Sequence, residues 1–262
     1  MKKRARSMLA VAAALSMTIT GVLPVMAAPD AGGNAKAADM DPVMQLEFEG
    51  NTNDSAKTDR QVSVKKWSGG QSVAAEENTD YAYVDGVIGD KALQLNGGAY
   101  LSLGTEGDLN PSNLTFSMWI NPQEEMTGEQ ILVWNKDTWD SEGWYLSSQA
   151  SDVLILSVGT RGSSAYEVHL TGKDRAEFFP VGQWTHIAVT FNNDTKEAAI
   201  YRNGVQQMTS TGQAGDKIKD SGVDKAIGYN GPNDSGLYRT GYLKAQIDQA
   251  VILNEAVDQT VI

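Results

Sequence analysis

The chain has 262 residues, a formal charge of −12 at pH 7 and no cysteine. An acidic balance of this size repels nucleic acid and anionic membrane surfaces, so neither is an expected partner. Without cysteine there is no disulfide, thiol nucleophile or thiolate zinc site, and stability must come from core burial or a bound ion.

Residues 1–27 read as a secretory signal peptide. Lys2, Lys3, Arg4 and Arg6 form a basic start, Met8 to Leu23 is largely apolar, and Val25-Met26-Ala27 precedes a cut after Ala27. No stop-transfer charges follow, so the expectation is a secreted or cell-surface protein with no membrane insertion after cleavage. Removing those four cations takes the formal charge from −12 to −16. Residues 28–41, "APDAGGNAKAADMD", are small and polar and read as a flexible linker.

From residue 42 onward, strand-like runs recur: "VMQLEFEG", "VSVKKW", "KALQLNGG", "AYLSLG", "LTFSMWINP", "EQILVWNK", "GWYLSS", "DVLILSVG", "AYEVHL" and "AQIDQAVIL". Between the last two lies "WTHIAVTFNNDTKEAAIYRNGVQQ", a meander whose Asn203-Gly204 is a strong hairpin signal. No stretch after the signal peptide holds a helical apolar period, so the pattern predicts an all-β antiparallel sandwich or barrel. The final "NEAVDQTVI" reads as the start of a short helix, and the abrupt ending suggests a piece of a longer protein.

The order and spacing of "LEFEGNTNDSA", "GDKALQLNGGAYLSLG", "LTFSMWINP", "GWYLSS", the meander and "AQIDQAVILNEAV" resemble the laminin-G-like, concanavalin A-like jelly-roll family across residues 43–262. Glu49 stands where many relatives carry aspartate, and Gln249 where an acidic residue is common. The resemblance implies one jelly-roll domain over residues 42–262, a two-sheet antiparallel sandwich of about six or seven strands per sheet.

Catalysis is not expected within these residues. Glycosidases on such sandwiches use acids spaced Glu-x-Asp-x-x-Glu on one strand, and the chain has no such run. Asp137, Asp140 and Glu142 come in another order within a loop, and Glu47 and Glu49 lack a third acid. His186 reads as a packing residue, His169 as one residue of an ordinary strand, and neither lies near a Gly-x-Ser-x-Gly elbow.

A structural calcium site is one candidate. "EGNTND" gathers Glu49, Asn51, Asn53 and Asp54 in one turn, and Asp248 lies in the last strand. Calcium takes six to eight hard oxygens, and in a jelly roll the first and last strands are neighbours, so an ion would clip the ends together. The competing reading is that Asn and Asp are simply good turn residues.

The second candidate is glycan recognition by aromatic loops. Trp134, Trp139, Trp144 and Tyr145 fall close together, and Tyr229, Tyr238 and Tyr242 form a later group. Their rings suit the apolar faces of sugars, with Asn135, Asp137, Asp140, Asn230 and Asn233 as hydroxyl partners. Trp119, Trp144 and Trp184 are assigned to the core, which leaves Trp134, Trp139, Asp140, Tyr229 and Tyr238 as the binding set. The expectation is a monomeric, non-catalytic accessory module that binds a polysaccharide or other glycan. A protein-binding or spacer module and a divergent glycoside hydrolase are the alternatives.

Overall fold

The computed structural model describes residues 40–159, 164–229 and 241–262. The signal peptide and linker residues 28–39 lie outside that range, as do Tyr238, Asn230 and Asn233.

The described chain is nearly all-β, with one short helix at Arg175–Phe178 and a 3-10 turn at Gly107–Leu109. Its strands are β1 (Met44–Leu46), β2 (Ser63–Ser68), β3 (Gln71–Ala74), β4 (Tyr81–Asp85), β5 (Lys91–Asn96), β6 (Ala99–Gly104), β7 (Leu114–Pro122) and β8 (Gln130–Asn135). They continue with β9 (Trp144–Ser148), β10 (Asp152–Val158), β11 (Tyr166–Thr171), β12 (Thr185–Phe191), β13 (Glu197–Arg202), β14 (Val205–Thr211), β15 (Lys225–Ile227) and β16 (Lys244–Leu253). One sheet runs β14-β13-β12-β7-β16-β5-β4, with β1 also paired to β16; the other runs β11-β10-β9-β8-β15-β6-β2-β3. Each sheet has eight strands, and the registered pairs are antiparallel, a jelly-roll sandwich. The first and last strands are neighbours, with Met44 opposite Ile252 and Leu46 opposite Ala250.

Alternation explains the packing. Phe116, Met118 and Ile120 of β7 and Ile187, Val189 and Phe191 of β12 point inward, against Leu101, Leu103, Leu146 and Leu156 from the facing sheet. Each such side chain, fully buried, stabilises the fold by roughly 1.5–3 kcal/mol. Trp144 joins this core with no exposed surface, and its indole N–H donates to the Leu109 carbonyl at 3.0 Å. At the Asn203-Gly204 hairpin both residues take positive φ, 49° and 73°, as a type I′ turn demands.

Two expectations are corrected. Trp119 and Trp184 are half-buried and stand outside the core. The reason is parity for Trp119: it lies between Met118 and Ile120, which take the inward positions. Residues 254–262 form bends and a turn instead of a helix. The tail is tied down by Thr115, whose hydroxyl donates to the Glu255 carbonyl and accepts from the Val257 N–H at 3.1 Å. Ile262 then packs on Ala188, Ala199 and Tyr201, covering part of the outer face of the first sheet.

Candidate functional site

The loop between β8 and β9 holds Trp139 over the outer face of the second sheet. Trp134 of β8 and Tyr145 of β9 are register partners and stack at 5.0 Å with 25° between their planes. Trp139 stands edge-on to both, 4.7 Å from Trp134 and 5.0 Å from Tyr145, at 80° and 88°. Trp134 and Tyr145 are 1% and 2% exposed, whereas Trp139 is half-buried. The five expected binding residues therefore do not act alike. Trp134 is a pedestal that offers no face to solvent, while Trp139 is the ring presented, with exposed Asp140 beside it. Asp140 accepts from the Thr138 hydroxyl at 2.8 Å.

The loop is braced from within. The Ser141 hydroxyl accepts from the Asp137 and Thr138 amides at 2.9 and 3.0 Å. Gly143 closes it at φ 104°, where a Cβ would stand 1.9 Å from the Asn135 carbonyl oxygen, so only glycine fits. Beneath it lies Lys136, fully buried, whose ammonium donates to the Trp139 carbonyl (3.2 Å), the Ser157 hydroxyl (3.1 Å) and the Gly159 carbonyl (3.3 Å). Burial pushes the Lys136 pKa down to about 8, against the opposing pull of Glu167, Glu142 and Asp140. Burial, with the Glu167 charge, raises the Tyr145 phenol well above its ordinary value, and its hydroxyl donates to Glu167 at 2.8 Å. Nothing local in the sequence marks Lys136 as this anchor, because two of its three acceptors come from Ser157 of β10 and from Gly159 just after it.

A second pedestal lies nearby on the same face. Tyr229 is fully buried between Tyr100, at 5.1 Å, and Tyr242, stacked on it at 4.2 Å and 9°. Tyr229 is thus another floor residue, with half-buried Tyr242 as its outward ring. Tyr100 was not legible as part of this group, since its strand reads as ordinary core.

The five expected calcium ligands divide in the same way. Asp54 is 1% exposed and already saturated: Oδ1 accepts from the Gln45, Ala56 and Lys57 amides, and Oδ2 pairs with the buried Arg60 guanidinium at 2.7 Å. Asn51 is occupied by its own turn, accepting from the Asn53 amide at 2.8 Å. Asn51 and Asp54 are thus already engaged, in an Asx turn and a buried ion pair, and Asn53 supplies its backbone N–H to that turn.

Glu49 and Asp248 fit better. The Glu49 carboxylate accepts from the Asp90 and Lys91 amides, and Asp248 Oδ2 from the Val87 and Ile88 amides at 2.9 and 3.1 Å. Both acids thus converge on residues 86–91. Asp248 has no exposed surface, and its Oδ1 accepts no hydrogen bond. Burial raises its pKa, the Glu49 charge adds to the rise, and the amides of Ile88, Val87 and Gln249 oppose it. Phe48 and Gln249, the neighbours of the two acids, take φ of 59° and 47°, and β16 bulges between Asp248 and Val251. Among the described residues no group of three or more acidic or histidine side chains converges on one point, so an ion here would also need carbonyl or water ligands.

Of the acids weighed for catalysis, Glu142 pairs with Lys219, Glu47 accepts from the Gln45 side-chain amide at 2.9 Å, and Glu49 accepts from backbone amides. His169 is flanked by Glu167 and Asp152 at 3.2 Å each. Among the described residues no helix is long and apolar enough to cross a membrane.

Comparison with known proteins agrees with the fold. Domain 4 of AbnA, a GH43 extracellular arabinanase from Geobacillus stearothermophilus, in complex with arabinotriose, superposes with a TM-score of 0.63 at 22% identity, covering 85% of this chain and 96% of that one. The binding domain of Paraclostridial Mosquitocidal Protein 1 gives 0.63 at 20% identity, covering 84% of this chain and 50% of that one. A botulinum neurotoxin type C structure, whose subject is cell entry through two ganglioside molecules, gives 0.60 at 15% identity, with 86% and 50% covered. The chain thus spans about half the length of these toxin structures. No curated protein matches it. The family model of the concanavalin A-like lectin/glucanases superfamily matches residues 95–262, the larger part of the sequence and most of both sheets. The chain belongs to that superfamily.

Proposed function

We propose that this protein is a secreted, non-catalytic module that binds glycans through the Trp139 loop. The observation that carries the reading is Trp139 itself: a half-buried indole, held edge-on by two buried aromatic rings, in a braced polar loop. A ring fixed before binding loses little entropy on meeting a sugar, and Asp140 and Asp137 stand exposed beside it for hydroxyls. The arabinotriose in the arabinanase domain and the gangliosides of the neurotoxin are consistent with a sugar as ligand. The engagement of Glu142 with Lys219 and of Glu49 with backbone amides favours binding over hydrolysis. A larger extracellular enzyme or surface protein is the natural parent for such a module. Electrophoresis of the purified protein through gels containing neutral polysaccharides, arabinan among them, tests the reading. Retardation by at least one, with no reducing sugar released, is the expected result; release that persists on repurification and disappears in Glu142→Gln contradicts it.

The orphaned Asp248 Oδ1 favours a second role, a structural cation held by Glu49 and Asp248 that would clip β1 and β16 to residues 86–91. An ion that binds only the folded state at a hundredfold excess over Kd adds about 2.7 kcal/mol. Calcium should then raise the melting midpoint by roughly 5–10 °C over a chelated sample. Asp248→Asn should shrink that shift, and equal midpoints with calcium and chelator exclude the site.

A further inference from the structure

The outer face of the first sheet carries a second set of residues that the Trp139 loop does not use. Alternation along β7 sends Met118 and Ile120 inward and leaves Trp119 and Asn121 on the opposite face. Register places His186 of β12 beside Trp119, and Gln246 of β16 beside Asn121, with Gln94 of β5 next in line. The amides form a row: Asn121 Nδ2 donates to Gln246 Oε1 at 2.9 Å, and Gln246 Nε2 donates to Gln94 Oε1 at 3.2 Å. At the head of the row, Asn121 is 7% exposed and its Oδ1 accepts no hydrogen bond. A buried acceptor left unmatched by the fold can be matched by an O–H or N–H from outside.

The aromatic part of the patch adjoins this row. The Trp119 and His186 rings lie 5.1 Å apart, tilted by 49°, and with Asn203, Gly204 and Ile262 they line a shallow cavity of about 220 Å³. That is smaller than the ~300–1,000 Å³ of pockets that engulf a free small molecule, and it suits one unit of a polymer lying across the sheet. Burial pushes His186 down to about 4, so its ring is neutral at pH 7. Among the described residues that line the cavity, none carries a charged side chain. Lys244, at the β5 end of the face, is paired with Glu124 at 2.7 Å. Trp119 and Asn121 are two residues apart on β7, about 7 Å, so one short stretch of glycan can touch both.

A ring face beside a row of amides is the chemistry that recognises a sugar: apolar C–H on one side, hydroxyls on the other. A protein partner would ask for a broader apolar surface, and an anionic glycan would find no unpaired cation among these residues. The geometry points to a second glycan-binding surface, with Trp119 and His186 under one sugar ring, Asn121, Gln246 and Gln94 on its hydroxyls, and a neutral polysaccharide as the ligand. This surface rests on the same glycan-binding reading, but on different residues and the opposite sheet. A module with two such faces binds a long chain with avidity, or joins two chains.

Trp119→Ala, Gln246→Ala and Trp139→Ala, singly and with the first two each combined with Trp139→Ala, separate the two sites. Each is run through gels containing neutral arabinan, xylan or β-glucan, or anionic polygalacturonate, with thermal melts in parallel. Stacking of a ring on an aromatic side chain corresponds to roughly a 5- to 150-fold change in affinity, and Trp119→Ala should cost that much in the Trp139→Ala background without lowering the melting midpoint. Gln246→Ala, which leaves the rings in place, should weaken the same interaction. Loss of all retardation in Trp139→Ala, with Trp119→Ala and Gln246→Ala behaving as the parent, overturns this surface and leaves the loop site standing. The reverse pattern supports this surface and removes the loop site. Polygalacturonate held better than the neutral chains through Trp119 overturns the ligand class, and retardation by no polysaccharide overturns both sites.

Discussion

Replacing Arg60 by methionine tests whether the turn after β1 is held by an ion pair or by a cation. Arg60 is 4% exposed and bonds Asp54 at 2.7 Å, and its outer nitrogens reach the Val43 carbonyl, Asp108 and Glu106. Methionine keeps much of the volume but strands the Asp54 carboxylate, 1% exposed, with no counter-charge. Breaking a buried pair this way costs about 3–5 kcal/mol. The three backbone N–H groups on Asp54 Oδ1 remain, which argues for the lower end. The bonds to half-exposed Asp108 and Glu106 add little, since exposed pairs contribute about 0–1 kcal/mol. About 3 kcal/mol in a domain of this size lowers the melting midpoint by roughly 6–12 °C. Calorimetry of the parent, Arg60→Met, Asp54→Asn and the double variant gives the coupling directly. The double variant should recover part of the Arg60→Met loss, and no calcium response should depend on Asp54. A midpoint change under about 2 °C for Arg60→Met, or a calcium response that vanishes in Asp54→Asn, refutes the ion-pair reading.

Two further predictions concern pH. The Asp248 pKa is raised on folding, so the native state holds its proton where the unfolded chain has released it; stability therefore falls as pH rises from about 3.8 through the folded value. Melts in chelator should show the parent losing ground to Asp248→Asn across that window, and parallel curves contradict the assignment. Lys136 is shifted the other way, from 10.5 to about 8, so the unfolded chain binds the extra proton and stability rises between those values. The parent should gain on Lys136→Met from pH 8 upward, whereas a difference independent of pH contradicts a buried ammonium.

How far the sequence carried the fold depended on how local each signal was. The alternation of residues 185–191 and the Asn203-Gly204 turn are readable because period two and a two-residue turn are local properties. Strands β3, β4 and β15 were not: Gln71–Ala74 is mostly exposed, Tyr81 to Val84 of β4 are all half-buried with no alternation, and Lys225–Ile227 is too short to alternate. The calcium expectation saw the turn but not Arg60, whose guanidinium takes the carboxylate that an ion would have used. In the aromatic loop, residue type picked out Trp134 and Trp139 alike, whereas Trp134 is buried and Trp139 is the ring on the outside. The fold shows that Trp134 lies under Trp139, and that Trp119 shares its face with Asn121 and not with Met118. Parity along "LTFSMWINP" carried that second signal, and the bulk of Trp119 concealed it.

The glycan-binding reading turns on one residue, and the direct test is isothermal titration of whichever polysaccharide retards the protein into the parent and into Trp139→Ala. Loss of one sugar–indole contact, at about 1–3 kcal/mol per ring, should raise Kd by roughly 5- to 150-fold. The Trp134–Tyr145 stack beneath does not depend on Trp139, so the melting midpoint should stay within a few degrees. A Kd unchanged by Trp139→Ala, or one that rises only because the variant has unfolded, contradicts the account.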